Sequence, residues 1–219
     1  MRALALDALW SRQNANPSAI LRTMAGGDAE IVAAVRQGDV DRFAELVDRY
    51  QDQAIRLAYT LLGNYEDARD ASQDAFVSAY QSLTRFHGRA KFSTWLYRIV
   101  VNKCRDAHRH HARQPAIAFR VGARDGDEDA SLFLDVDDPA AGPGEQLANR
   151  ELGRRLTAAI RELPMTQRTA FLLHHVHGLP LDDAAQVMGC RLGTVKSHIF
   201  RATESLREQL TPWLTQERG

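Results

Sequence analysis

The chain has 219 residues, of which 44% are hydrophobic and 26% charged, and its 28 basic side chains balance 28 acidic ones. No apolar run approaches the roughly 20 residues of a membrane-spanning helix, and two cysteines, Cys104 and Cys190, are too few for a disulfide framework. These features predict a cytoplasmic globular protein of one or two domains and exclude membrane and disulfide-stabilised classes.

Residues 1–27 show no pattern that predicts an ordered element. The start is too short for a secretory signal and is interrupted by Asp7, while Met24 offers a second translation start. We therefore expect an N-terminal extension that is flexible, with either Met1 or Met24 as the true first residue.

Two amphipathic helices are predicted next. Apolar side chains recur at every third or fourth position over Phe43–Leu62, and the pair Gly63-Asn64 supplies a left-handed cap. A second helix is predicted from about Glu66 to Leu83, with its alanines inward and its acids outward.

A third helix is predicted from Trp95 to about His110, with Ser93 or Thr94 as its cap. The surrounding segment from Arg85 to Arg113 contains eight basic residues and one acid, so it forms a basic patch despite the neutral net charge.

The segment 113–144 is predicted to be an acidic linker. It loses helical periodicity and contains three prolines, and between Gln114 and Glu145 eight acids stand against two arginines.

Helical periodicity returns at about Gly144 and is interrupted at Pro164 and at His177-Gly178. Two further helices are predicted over about Leu181–Met188 and over Thr194–Leu210, ending before Pro212.

The last two helices have the spacing of a helix-turn-helix. Ala185 allows the helices to cross closely, Gly189 supplies the turn, and Thr194 is the predicted cap of the second helix. Ala184, Met188, Cys190 and Val195 are the predicted buried positions, with Ile199 rather than His198 as the apolar anchor. The predicted DNA-contacting residues are Arg191, Thr194, Lys196, Ser197, His198 and Arg201.

Three ordered segments resemble the extracytoplasmic-function sigma factors of the sigma-70 family. They read NYEDARDASQDAFVSAYQSLTRF, FHGRAKFSTWLYRIVVNKCRD and LPMTQRTAFLL…HGLPLDDAAQVMGCRLGTVKSHIFRA. The resemblance covers about residues 35–112 and 145–210, and it departs from the usual pattern at Asp183-Ala184 and in the His-rich HHVHG.

The resemblance implies an all-α fold in which two small helical domains are joined by the linker. Residues 28–112 would form a region 2-like domain and 145–213 a region 4-like domain with the helix-turn-helix. Its partners would be core RNA polymerase, through the clamp helices and the flap, promoter DNA, and an anti-sigma factor.

The resemblance also assigns residues to the first domain. Polymerase binding would fall to an acidic helix face with Asp67, Asp70, Gln73, Asp74 and Phe76. Contacts with the melted minus-ten element would fall to His87, Gly88, Arg89, Lys91, Phe92, Ser93, Asn102, Lys103, Arg105 and Arg109. The linker would lie in the polymerase cleft.

Other classes remain open at this point. A ligand-responsive helix-turn-helix regulator would bind DNA without polymerase, and a protein-interaction adaptor would not depend on DNA. Neither histidine cluster has cysteine partners at zinc-site spacing, and the chain has no nucleophile elbow or phosphate-binding glycine loop. We expect no metal, no cofactor and no enzymatic activity.

Overall fold

The computed structural model describes residues 27–88, 90–113 and 143–216, with side chains for 27–88, 90–113 and 151–211. The predicted N-terminal extension and most of the predicted linker lie outside these ranges. The helices of the first half are α1 (Asp28–Arg36), α2 (Phe43–Leu62), α3 (Tyr65–Ser82) and α4 (Phe92–Arg113), with 3-10 turns at Val40–Arg42 and Leu83–Arg85. Those of the second half are α5 (Pro143–Glu162), α6 (Met165–Phe171), α7 (Leu181–Met188) and α8 (Leu192–Gln216), with a π-helical turn at Leu172–Val176.

The described segments contain no strand, which confirms the all-helical prediction. None of their helices combines the length and the apolar character that crossing a membrane requires.

In the turn between α2 and α3, two adjacent residues cap different helices: Gly63 ends α2 and Asn64 begins α3. Gly63 takes a left-handed φ of 77°, and its N–H donates to the Tyr59 carbonyl at 2.7 Å. Asn64 is extended instead, and its side chain accepts from the Asp67 N–H at 3.1 Å. The prediction is therefore right for Gly63, whereas Asn64 begins α3 rather than ending α2.

The core of the first half lies between α2, α3 and α4. Leu46, Leu57, Ala75, Leu96 and Val100 are each 0% exposed. Full burial of a large apolar side chain contributes about 1.5–3 kcal/mol, so this seam holds the three helices together.

The predicted start of α4 at Trp95 is wrong, because an aromatic cluster extends the helix toward its N-terminus. Phe92 is 3% exposed and its ring lies 5.7 Å from Trp95, which lies 5.0 Å from Phe86. The helix therefore begins at Phe92, and Ser93 and Thr94 are buried inside it rather than capping it.

The helix-turn-helix forms as predicted, with two changes. Gly189 has a φ of 66° after α7, and Ala184, Val195 and Met188 are buried, while Cys190 is only half-buried. The second helix starts at Leu192, so Thr194 lies inside it and is not its cap.

The same helix runs to Gln216 rather than ending before Pro212. Pro212 therefore lies inside α8, where it lacks the backbone donor of other helical residues.

The two halves contact each other. The Arg168 guanidinium, on α6, donates to the Leu61 carbonyl of α2 at 2.7 Å, and the His177 ring lies 5.3 Å from the Tyr97 ring of α4. Helix α7 packs along α4. We call this contact the joint.

Candidate nucleic-acid interface

The exposed side of α8 carries most of the predicted duplex-binding residues. Thr194, Lys196, Ser197 and Arg201 are exposed, as is Arg191 just before the helix. Val195 on the opposite side is 0% exposed and fixes α8 against the core. The helix thus presents cationic and hydroxyl groups at the spacing that a major groove accepts.

His198 differs from its neighbours. It is half-buried, and its Nδ1 is buried without a hydrogen-bond partner among the described residues. Ile199, the predicted anchor, is half-buried and packs against the core.

Phe200 is a candidate that the sequence analysis missed. Its side chain is 67% exposed, the highest value among the exposed large apolar residues of the described chain, and it lies beside Arg201. An aromatic at this place on a helix-turn-helix can contact a thymine methyl group. The signal in the sequence was an apolar residue outside the buried stripe of Val195, Ala202 and Leu206.

The predicted minus-ten residues of α4 fall on two different sides. Asn102, Arg105 and Arg109 line one groove of about 510 Å³, whose other wall is Met165 and Thr166 at the start of α6. Their spacing of three and four residues places them on one helix face.

Lys103 points elsewhere, toward α3, with its Nζ 3.9 Å from an Asp74 carboxylate oxygen. The basic helix and the acidic helix are therefore linked at their shared edge. At the far end of α4, His111 Nε2 lies 3.7 Å from Asp67 Oδ1.

The loop before α4 is only partly available for DNA. His87, Gly88 and Lys91 are exposed, and Gly88 has a left-handed φ of 70°. Phe92 and Ser93 are 3% and 8% exposed, so a contact with an extruded base would require the aromatic cluster to open. The minus-ten contact of these two side chains stays a prediction, and Arg89 lies outside the described residues.

The predicted polymerase-binding face of α3 is also refined. Asp70, Gln73 and Asp74 are exposed and Asp67 is half-buried, but Phe76 is 8% exposed and belongs to the core. Val77 and Tyr80 are 55% and 41% exposed, and they continue the acidic face by one turn. The face is therefore acidic with an apolar end, a composition the sequence analysis missed when it chose Phe76.

Two other kinds of side chain bear on reactivity, the cysteines and the clusters that could hold a metal ion. Burial raises the pKa of the Cys104 thiol to about 12, which makes it a packing residue. In the described part of the chain, no three His, Cys, Asp or Glu side chains gather closely enough to hold a metal ion.

Comparison with known proteins agrees with this geometry. Residues 46–114 match the model of sigma-70 region 2, and residues 153–206 match that of sigma-70 region 4. The chain is 34% identical over 179 residues to the ECF RNA polymerase sigma factor SigW of Bacillus subtilis, covering 82% of this chain and 94% of that one. It is 35% identical over 186 residues to the ECF RNA polymerase sigma-E factor of Haemophilus influenzae, covering 84% and 96% of the two chains.

A solved structure has the same fold. It is the sigma factor RpoE in complex with the anti-sigma factor NepR from Bartonella quintana, with a TM-score of 0.58 and 23% identity. The match covers 77% of this chain and 96% of that one.

Proposed function

This chain belongs to the extracytoplasmic-function group of the sigma-70 family, and from that premise we propose how its two halves divide the work of promoter recognition. The protein is an alternative sigma factor that directs RNA polymerase to promoters. Its action would be binding and positioning in the cytoplasm, with no catalytic step of its own.

The second half would bind the minus-thirty-five element as duplex DNA. Lys196 and Arg201 would neutralise phosphates, while Ser197 and Phe200 would face base edges. The exposure of these four side chains on one rigid helix supports this assignment. Contact with the polymerase flap would come from the same half.

The first half would hold the melted minus-ten element. The α4 face with Asn102, Arg105 and Arg109 offers amide and cationic groups to a single strand, although Asp106 on the same face pairs with Arg109. The exposed His87, Gly88 and Lys91 lie just before the same helix. Phe92 would support this surface from within the core.

The face of α3 would bind the clamp helices of core polymerase. Its exposed acids give orientation, and Val77 and Tyr80 give an apolar contact that can be buried on binding. The same surfaces would be the target of an anti-sigma factor, as the relative solved with NepR suggests.

The observation that carries the proposal is the match of residues 46–114, across α2, α3 and α4, to sigma-70 region 2. An ordinary helix-turn-helix regulator needs the exposed side of α8, and nothing in its activity requires a region 2 fold. The exposed acidic and apolar face of α3 is a second surface, separate from α8, that polymerase binding would use.

Transcription in vitro tests it. Core polymerase on sheared genomic DNA should start at discrete sites only when this protein is added, and the protein alone should bind those sites weakly. Tight binding to a palindrome without polymerase would establish the regulator instead.

A matched pair of variants tests the polymerase face. Val77→Asp should weaken binding to core polymerase at least tenfold, because it places a charge in the apolar part of the contact, which binding would bury. Tyr65→Asp changes another exposed apolar residue, 47% exposed, at the opposite end of α3 and should leave that affinity unchanged. Equal affinities for the two variants would remove α3 from the polymerase contact.

A further inference from the structure

The joint buries an ionisable ring between the two halves of the protein. His177 follows the π-helical turn and is 8% exposed, and its ring lies 5.3 Å from that of Tyr97, which is 0% exposed. The Tyr97 hydroxyl donates to Gln53 Oε1 of α2 at 2.6 Å, which fixes the phenol against which the imidazole packs.

The joint also lies beside one of the proposed DNA surfaces. Met165 and Thr166 form the wall opposite Asn102, Arg105 and Arg109, of which Asn102 and Arg109 are exposed and Arg105 is half-buried. Separation of the halves would remove that wall. It would leave the exposed side of α8 unchanged.

The other contacts of the joint satisfy its charges incompletely. Arg168 donates to the Arg161 carbonyl and to the carbonyls of Leu61 and Leu163, the last two at 2.7 and 3.0 Å. The Arg161 guanidinium lies 4.7 Å from the centre of the Tyr59 ring. Yet Nε of both arginines and Nη2 of Arg161 are buried without a hydrogen-bond partner among the described residues. Buried donors without acceptors cost free energy, so the contact can be disrupted by a modest change.

We propose that the joint is a proton-sensitive latch: in the closed form neutral His177 packs on Tyr97, and protonation of His177 separates the halves and moves the start of α6 away from the minus-ten surface. This rests on the proposed function for the meaning of that surface, although the latch itself is a property of the joint.

Burial and one nearby cation oppose a positive charge on His177. Burial, followed by the positive charge of Arg56 on α2, lowers the pKa of His177 to about 4. On α4 it faces the Tyr97 phenol, whose pKa burial raises. Its own turn supplies His174, whose Nδ1 lies 2.9 Å from the Leu179 carbonyl, and the acids Asp182 and Asp183 in the first turn of α7 do not offset the shift.

The lowered pKa of His177 sets the direction in which the stability of the closed form changes with pH. An exposed histidine has a pKa of about 6.5, so the closed form is fully stable above that pH and loses stability as the pH falls from 6.5 toward 4. Between pH 7 and pH 5.5 the ratio of open to closed molecules should rise about eightfold.

Fluorescence energy transfer within the full chain tests the latch. A donor and an acceptor are placed at Asp52→Cys on α2 and Glu208→Cys on α8, both exposed positions, with the half-buried Cys190 changed to serine. Transfer should fall as the pH is lowered from 7 to 5.5, following the eightfold shift.

Two variants separate the latch from general acid effects. His177→Phe keeps an aromatic ring against Tyr97 but cannot be protonated, so its transfer should not change over this range. His110→Phe removes an exposed histidine on α4 and should behave as the wild type. Circular dichroism at both pH values identifies any variant that fails to fold, and His177→Gln then replaces His177→Phe.

A pH-independent signal in the wild type, or an unchanged pH response in folded His177→Phe and His177→Gln, would overturn the latch. The assay contains neither polymerase nor promoter. Failure of promoter-dependent transcription with an intact pH response would therefore overturn the proposed function and leave the latch standing.

Discussion

Among single residues, Lys196 allows the clearest test of phosphate contact. It is exposed on α8 and adjoins Ser197, whose hydroxyl donates to the Gly193 carbonyl at 2.9 Å. We expect Lys196→Ala to weaken promoter binding by the holoenzyme about equally for all sequences and to lower the salt slope by about 1. Gln209→Ala, exposed farther along α8, is the control and should change neither quantity. A changed base preference with an unchanged salt slope would make Lys196 a base reader.

Phe200 should affect sequence preference instead. Because its ring is 67% exposed, Phe200→Ala should leave the melting temperature unchanged. It should reduce preference for thymine at one minus-thirty-five position by on the order of 1 kcal/mol, because the contact buries a single methyl group. Selection of promoter variants by the holoenzyme measures this. Retention of the wild-type preference would place Phe200 outside the DNA contact.

Phe92 is buried, in contrast to Phe200, and should therefore affect stability. Its ring packs with Tyr50, Phe86 and Trp95, so Phe92→Ala should destabilise the protein by about 3–5 kcal/mol. Thermal unfolding measures the loss, with Phe200→Ala as the exposed aromatic control. Normal stability combined with defective promoter melting would restore the base-stacking role predicted from the sequence.

For the helices, the period of the apolar residues predicted the body of each helix better than its first residue. The predicted bounds of α2 and α7 agree with the structure because each helix carries a regular apolar stripe and is followed by a glycine with positive φ, Gly63 or Gly189. The starts of α4 and α8 were wrong because Ser93 and Thr94, and likewise Thr194, are good capping residues by type. Packing of Phe92 extends α4 over them, and nothing local in the sequence shows that packing.

The helix-turn-helix glycines form a matched pair for a stability test. Gly189 has a φ of 66° and an added Cβ would meet no atom within 4 Å, so Gly189→Ala would be strained only by its backbone conformation. We expect a loss of about 1–2 kcal/mol. Gly193→Ala, inside α8 and equally free of contacts, should instead be neutral or stabilising by up to about 1 kcal/mol. Denaturant unfolding compares the two, and equal effects would contradict a backbone cause.

For the whole molecule, the sequence predicted the two functional halves but grouped site residues by their order in the chain. Asn102, Lys103 and Arg105 are neighbours in sequence, yet Lys103 lies toward Asp74 while the other two line the groove. The joint was absent from the sequence analysis, because contacts such as Arg168 with Leu61 join residues far apart and no local pattern encodes them.

The joint also limits the distance along DNA that the two halves can span together. Elements named for positions minus ten and minus thirty-five are separated by roughly 25 base pairs, which is about 85 Å along B-form DNA. Two small domains in direct contact do not span that distance. The arrangement described here therefore binds at most one element at a time, and both can be bound only after the halves separate.

In the proposed latch, the packing of His177 against Tyr97 makes promoter loading a proton-consuming reaction. Coupling between two binding events is mutual. Because protonation of His177 favours separation of the halves, a partner that binds only the separated halves raises the affinity of the His177 imidazole for a proton. With values of about 4 and about 6.5 for the two pKa states, assembly at pH 5.5 takes up about 0.9 proton per molecule, and at pH 7 about a quarter of one. Heats of assembly measured in buffers of different ionisation enthalpy should therefore differ strongly between buffers at pH 5.5 and only slightly at pH 7. The number of protons taken up per molecule would then give the fraction of molecules that open.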